Sequence, residues 1–429
     1  VSAPPRALEI APGRVAGAVA VPASKSMTNR LLAIAALAEG EAVLRDPLDS
    51  DDAEAMREAV AALGAEVAVE PGCWRVAGRA GRLTAPAAPI DARLSGTTMR
   101  FVTAMATLAD GPVVVTGSAP LRRRPIAPLV SALGELGGDV ACADGYPPTE
   151  SRGGGLRGGT TTVDVRQSSQ FASAVLLVAP FAAAHVEVRL RGPAADGYID
   201  LTVAALADAG ARIAEGPPRT WQVRPGGLRA PDVRVEHDAS AACHLHALAA
   251  ASGGAVTVTN AAPGARQPDA GFVEVLAAMG CEVSRDGDAL TVRGPDRLAA
   301  IDVDLAAMPD QVTSLAALCA LAEGTSTIRG VGVARTHETD RLAALAGELG
   351  KLGVAVEEAP ERLRITGGTA RGPATLDTHD DHRLAMAFAA LGAALPGVAI
   401  ADPGCVAKTY PRFWDDIAGL GLEQREVTA

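Results

Sequence analysis

The sequence predicts an α/β protein of two lobes, each holding three copies of one repeated unit. Three observations carry this. A pattern with a period of about 70 residues recurs from end to end. Each copy joins Ala/Leu-rich helical stretches to β-branched runs. No long linker breaks the 429-residue chain, yet a single core seldom grows beyond about 250–300 residues.

The repeat has two phases. In the first, a polar cluster opens a helix that stops near Gly and runs into a strand: SKSMTNRLLAIAALAEGEAVL, SGTTMRFVTAMATLADGPVVV, SSQFASAVLLVAPFAAAHVEV, DASAACHLHALAAASGGAVTV, PDQVTSLAALCALAEGTSTI and DDHRLAMAFAALGAALPGVAI. In the second, an amphipathic helix ends at Gly and returns as a strand, as in ALGAEVAVEPGCWRVAG and AMGCEVSRDGDALTVRG. Each unit thus reads as helix, strand, helix, strand, strand. The midpoint of the six falls near Val235 to Asp238. RALEIAPGRVAGAVAVPAS reads as one N-terminal strand, and periodicity alone does not place it in either lobe.

The polar openings (Ser24/Ser26, Ser95/Thr97, Ser168/Ser169, Asp238/Ser240, Asp310 and Asp380/Asp381) all occupy N-cap-like positions. Capping alone explains most of them. A helix start also carries free N–H donors and about half a positive charge, which is why such ends bind phosphates and carboxylates. In a pseudosymmetric repeat, equivalent helix starts point the same way, and several can converge on one anionic ligand.

Bulk composition narrows the function. Net charge is -11 and the pI about 5.2, which argues against coating nucleic acid or an anionic membrane. An anionic ligand must therefore meet a local basic pocket. The cysteines stand singly, with neither CxxC pairs nor disulfide-framework spacing. The N-terminal VSAPPRALEIAPGR lacks a signal-peptide layout, and no apolar run reaches the roughly 18 residues of a membrane helix. A soluble, cytoplasmic protein is expected.

Of 39 basic residues only Lys25, Lys351 and Lys408 are lysine. Lysine kept in so arginine-rich a background points to a compact ammonium with an adjustable pKa. Lys351, in ELGKLGVAVEEAPERL, reads as ordinary helix surface, whereas Lys25 and Lys408 sit in polar motifs.

SKSMTNR groups Lys25, Ser26 and Arg30, with Ser26 and Arg30 on one helix face. SGTTMR joins Gly96, where a ligand can approach the backbone, to Thr97 and Arg100. SSQ offers uncharged donors. With Arg124, Arg341, Arg383 and Lys408, this set suits a polyanion. Arg122 and Arg123 read as solvated and Arg124 as inward. THDDHR clusters His379, Asp380, Asp381 and His382, but the adjacent Arg383 disfavours a metal ion, and capping with anion contact is the expectation. His244 and His246 do not share a helix face and read as core.

In order and spacing, PASKSMTNR, LDSDDAEAM, SGTTMR, RRRPIAPLV, SSQF, DGYIDLT, DASAA, MPD, HETDRL, DDHRLAM and AKTYP resemble the 5-enolpyruvylshikimate-3-phosphate (EPSP) synthases over essentially the whole chain. The resemblance implies a two-lobed inside-out α/β barrel of the enolpyruvyl transferase kind, with six βαβαββ-type repeats, three per lobe. Residues 1–22 with 238–429 would form one lobe and 23–237 the other, with the active site in the cleft between them.

Carried over motif by motif, the resemblance assigns phosphoenolpyruvate to Lys25, Gly96, Thr97, Arg124, Gln170, Arg341, Arg383 and Lys408. It assigns shikimate 3-phosphate, the acceptor, to Lys25, Ser26, Arg30, Ser168, Ser169, Gln170, Tyr198, Asp310 and His337. Asp310 resembles the group that takes the hydroxyl proton, and Glu338 and Lys25 those that handle protonation of the methylene carbon. The implied reaction is addition then elimination, by a monomer that closes over its two small substrates without metal, organic cofactor, nucleic acid or membrane.

Several positions depart from the commonest family pattern. Ala195 stands for a usual Ser, Val333 for Asn, His337 for Lys, Leu94 for Asn, Ala23 for Gly and Phe101 for Pro. His337 makes the acceptor's cation site pH-dependent, because imidazole titrates near 6.5 when unperturbed. The reaction type is thus better specified than the acceptor, and an enolpyruvyl transferase for another cyclitol or a nucleotide is the alternative. A third reading, a non-catalytic anion-binding homologue, is opposed by the retention of Lys25, Asp310 and Glu338. The UDP-N-acetylglucosamine enolpyruvyl transferases typically carry a cysteine in the loop before the donor-binding arginine, and GSAPLRRRPIAP has none.

Overall fold

Helices that are apolar on every side must be buried on every side, and this rule shapes both halves of the molecule. The structure, a computed structural model, describes residues 6–428. The chain divides into two compact units, one of Val1–Pro22 with His237–Ala429 and one of Ala23–Glu236.

In the first unit the Ala239–Ser252, Val312–Leu321 and His382–Ala394 helices pack on one another. Their residues 239–250, 312–320 and 382–393 are all buried. Alanine is frequent in them, and Leu245, Leu315 and Phe388 are among the larger side chains buried with it. In the second unit the corresponding helices are Lys25–Leu37, Gly96–Met105 and Gln170–Val178.

Around these helices stand the sheets, six of four strands each among the described residues. Each pairs two strands in parallel and then adds two antiparallel strands, which form a hairpin in five of the sheets and come from the two ends of the chain, Arg6–Ile10 and Gln424–Thr428, in the sixth. Ile90–Asp91 runs parallel to Val113–Thr116, which pairs with Tyr146–Gly153, which pairs with Asp139–Ala143. Strands at the sheet margins turn mostly to solvent, as Glu282–Asp286 does at every residue. Helices inside and sheets outside are the inside-out arrangement expected of six βαβαββ repeats.

The N-terminal stretch is two strands rather than one. Arg6–Ile10 lies between Val398–Ala401 and Gln424–Thr428, while Ala16–Val19 runs parallel to Ala255–Val258. Both therefore complete sheets of the first unit. The Ala23–Glu236 unit closes on itself instead, with Asp232–Arg234 parallel to Glu41–Arg45.

The polar openings are not all caps. Ser24, Ser95, Asp238 and Asp381 accept from backbone N–H groups of the helices they open. Ser169 makes no such bond, and Ser168 Oγ accepts from Gln170 N instead. Asp310 lies in a short 3-10 turn, Pro309–Gln311, ahead of its helix and does not cap it. Its carboxylate is engaged elsewhere.

Candidate active site

In the first unit, three helix starts bring Asp310, His337, Glu338, Arg341, Arg383 and Lys408 together. Arg341 opens the Arg341–Lys351 helix and is 1% exposed. Its Nε donates to Asp381 Oδ2 at 2.7 Å, one Nη to Asp310 Oδ1 at 2.6 Å and the other to Glu338 Oε2 at 2.8 Å. Arg383 Nη2 lies 3.1 Å from Asp310 Oδ2, and Lys408 Nζ donates to Glu338 Oε1 at 2.7 Å. The chain of contacts therefore runs Lys408, Glu338, Arg341, Asp310, Arg383, with Asp381 as the buried anchor.

Three cations face three carboxylates here, so an incoming anion must compete with Asp310 and Glu338 for Arg383, Arg341 and Lys408. Burial opposes the charge on Asp310, but Arg383, His337 and Arg341 outweigh it and hold the carboxyl well below its ordinary range. Arg341 is pushed the other way: burial lowers its pKa, and Asp381, Glu338 and Asp310 more than reverse that. Asp381, fully buried, also accepts from Arg383 N at 2.9 Å. One carboxylate thus caps a helix and orients an arginine. Removing it would leave a buried guanidinium short of a partner, a loss of about 3–5 kcal/mol.

His337 Nδ1 lies 3.0 Å from Asp310 Oδ1 and 3.0 Å from Arg341 Nη1. A nitrogen that donates to the carboxylate cannot also accept from the guanidinium, so one of these bonds is made at a time. Burial pushes the imidazole below its ordinary value, although Asp310 opposes this. Beneath the cluster His244, 1% exposed, shares a hydrogen bond with Ser314 Oγ at 2.8 Å, and burial with the nearby arginines keeps it neutral. Within THDDHR the aspartates serve the turn and the cap. Among the described residues no group of three His, Cys, Asp or Glu side chains is placed to hold a metal ion.

The second unit holds the remaining residues in two neighbourhoods. Lys25, in the first turn of its helix, pairs with Asp52 Oδ2 at 3.4 Å, and Asp52 is 3% exposed. Ser26 and Arg30 share a face, for Arg30 Nη1 donates to Ser26 O at 2.9 Å. Arg30 also donates to Thr202 Oγ1 and to Tyr198 O, and its guanidinium lies 5.6 Å from the Phe101 ring centre. Burial pulls its pKa down to about 10, which leaves it charged at neutral pH. So firmly held, Arg30 ties two helices together.

The second neighbourhood centres on Gly96. A Cβ built there would lie 3.0 Å from Arg124 Nη1 and 3.1 Å from Arg100 Nη1, so glycine is what lets the two guanidiniums close on this helix start. Arg100 Nη1 donates to Gln170 Oε1 at 2.6 Å and stacks 5.2 Å from the Phe171 ring centre. Thr97 is buried beside them. Arg122 and Arg123 are exposed and Arg124 is half-buried.

The model of the family described as EPSP synthase (3-phosphoshikimate 1-carboxyvinyltransferase) matches residues 10–417. The chain belongs to the EPSP synthase family. The 3-phosphoshikimate 1-carboxyvinyltransferase of Methanoculleus marisnigri is 43% identical over 417 residues, covering 96% of this chain and 98% of that protein. The one of Methanosphaerula palustris is 41% identical over 416 residues, with 96% and 98% covered. Among solved structures, EPSP synthase from Acinetobacter baumannii superposes with a TM-score of 0.82 at 25% identity, over 98% of this chain and 100% of that one. The enolpyruvyl transferase NikO from Streptomyces tendae reaches 0.81 at 20% identity with both chains covered in full, a likeness of fold.

Set beside the commonest EPSP synthase pattern, Ala195 is buried at 7% exposure, Leu94 is exposed at 42%, and Phe101 is fully buried against Arg30. Asp52 and Glu348 carry no role in the motifs, and Arg100 carries one tie that the motifs do not show. Asp52 lay within LDSDDAEAM without a role. Arg100 belongs to the Gly96 motif, and its tie to Gln170 joins residues 70 apart in sequence. Glu348 sat in a segment that reads as plain helix surface. Only for Asp52 did the sequence carry a signal, an acidic run opening a helix beside the lysine motif.

Proposed function

We propose that the chain transfers the enolpyruvyl group of phosphoenolpyruvate to the 5-hydroxyl of shikimate 3-phosphate and releases phosphate. The observation that carries this is the shared carboxylate of Asp310, tied at once to Arg383 and Arg341. A base that is paired with the donor's cations is weak until the donor arrives. When the donor's anionic groups take those guanidiniums, Asp310 loses the charges that depress its pKa and becomes able to accept a proton.

In this reading Arg124, Arg341, Arg383, Lys408, Lys25 and Gln170 hold the donor, with the Gly96–Thr97 helix start. Bidentate arginines and lysine point charges complement its phosphate and carboxylate. Ser26, Arg30, Ser168, Ser169, Tyr198 and His337 hold the acceptor. Asp310 takes the hydroxyl proton as the oxygen bonds to C2, while Glu338, with Lys25, delivers a proton to C3. The tetrahedral intermediate then loses a C3 proton and the C2–O bond to phosphate, which restores the methylene. Closure excludes water from the activated carbon.

The enzyme works in this reading as a cytoplasmic monomer without metal or organic cofactor. Among the described residues no helix is long and apolar enough to cross a membrane. The relatives matched over nearly the full chain carry the shikimate-phosphate name, so a different acceptor is not favoured. Phosphate release from phosphoenolpyruvate, assayed with shikimate 3-phosphate and with a panel of other alcohols, tests the assignment. Turnover with shikimate 3-phosphate supports it, and turnover only with another alcohol overturns it.

A further inference from the structure

Glu348 lies seven residues after Arg341 on the Arg341–Lys351 helix, two turns on and therefore on the same face. It is 4% exposed. Its Oε2 accepts from Asp377 N at 2.8 Å and Lys351 Nζ at 2.6 Å, and its Oε1 lies 3.1 Å from His379 Nε2. The same helix thus grips the loop before the His382–Ala394 helix at two points. Glu348 holds its beginning at Asp377 and His379, and Arg341 holds its end at Asp381.

Between the two grips the backbone adopts a conformation it would not keep alone. His379 and Asp380 are consecutive non-glycine residues with φ of 50° and 57°. Such geometry persists where surrounding bonds over-determine it. His379 N donates to Asp377 Oδ1 and Asp381 N to Thr378 O, both at 2.8 Å. The next residues are Asp381, which orients Arg341, and Arg383, which reaches Asp310.

We infer that Glu348 is a positioning residue for donor binding, fixing through the Asp377–Asp380 turn the places of Asp381, Arg341 and Arg383. It touches no substrate. The inference rests on reading Arg341 and Arg383 as ligands of phosphoenolpyruvate. Lengthened loop contacts would shift both guanidiniums together, and small misplacements of a binding group are costly.

The test compares Glu348→Ala, Glu348→Gln and Lys351→Gln with wild type in steady-state kinetics, together with amide hydrogen exchange of the Asp377–Arg383 segment. Glu348→Ala should raise the KM for phosphoenolpyruvate about tenfold while leaving the acceptor KM within about twofold, and should speed exchange at His379 and Asp381. Glu348→Gln keeps an acceptor for Asp377 N and should recover most of the donor KM. Lys351→Gln leaves the loop bonds in place and should behave as wild type. If wild type is active and Glu348→Ala leaves the donor KM unchanged, or lowers kcat and raises both KM values in step with lost thermal stability, the inference is overturned. A wild type inactive with phosphoenolpyruvate and shikimate 3-phosphate would instead overturn the reading of the site beneath it.

Discussion

Arg383 Nη2 and Asp310 Oδ2 stand 3.1 Å apart, so a cation assigned to the donor and the base assigned to the acceptor hold each other. Under the proposed function this pairing would couple binding to chemistry. In the proposed mechanism the donor's anionic groups displace the carboxylate from the guanidinium, and the carboxylate gains basicity when an acceptor hydroxyl can use it.

Asp310→Asn keeps the size of the side chain and one acceptor oxygen but removes the base. Its kcat should fall by at least about 10²-fold. The KM for phosphoenolpyruvate should stay level or fall, because Arg383 and Arg341 no longer face a competing charge. Steady-state phosphate release checks both, and a raised donor KM with near-normal kcat would contradict the assigned role.

Acid stability follows from the same contacts. The folded pKa of Asp310 is depressed below its ordinary 3.8. Its contribution is therefore complete above that value and is lost as pH falls through the folded pKa. The stability gap between wild type and Asp310→Asn, from thermal melts, should be level from about pH 5 to 8 and shrink below about pH 4.

Lys25→Ala and Arg124→Ala should both abolish turnover, with different effects on stability. Arg124 is half-buried beside Gly96, and its loss should barely move the melting temperature. Lys25 neutralises Asp52, whose side chain is only 4% exposed, so Lys25→Ala should also cost about 1–3 kcal/mol of stability. Retained activity in either variant would count against the site.

Much of this arrangement was legible in the chain. Six polar helix openings gave the repeat, and all-apolar stretches such as LAMAFAALGAA marked the central helices, which helical burial on every side explains. The openings look alike in sequence but differ in role. Ser24 and Asp381 cap, whereas Asp310 spends its oxygens on arginines that lie 31 and 73 residues further along. Such ties join elements through space and leave no local pattern, as with Glu348. The N-terminal stretch hid two strands behind one run because residues 11–15, with Pro12 and Gly13 among them, belong to neither strand.

Gly96→Ala places a methyl 3.0 Å from Arg124 Nη1 and 3.1 Å from Arg100 Nη1. Both contacts are flexible side-chain ends, so the fold should be retained. The donor KM should rise by about tenfold or more as the guanidiniums are pushed aside. Unchanged donor KM with a normal melting curve would place the donor elsewhere.

His337 is held below its ordinary value by burial, so its charge changes below pH 6.5 rather than across neutrality. The acceptor KM should be flat between about pH 7 and 8 in wild type and should fall at lower pH as the imidazole gains its proton. In His337→Lys it should be low throughout. A KM profile identical in the two proteins would remove His337 from the acceptor's ligands.

The most direct measurement follows the fate of the methylene carbon. With phosphoenolpyruvate, shikimate 3-phosphate and enzyme in heavy water, mass and NMR analysis should find the enolpyruvyl ether at the 5-oxygen with deuterium in its methylene, because C3 gains a solvent-derived proton and then loses one. Phosphate release that yields only pyruvate, or no release at all, would contradict the account.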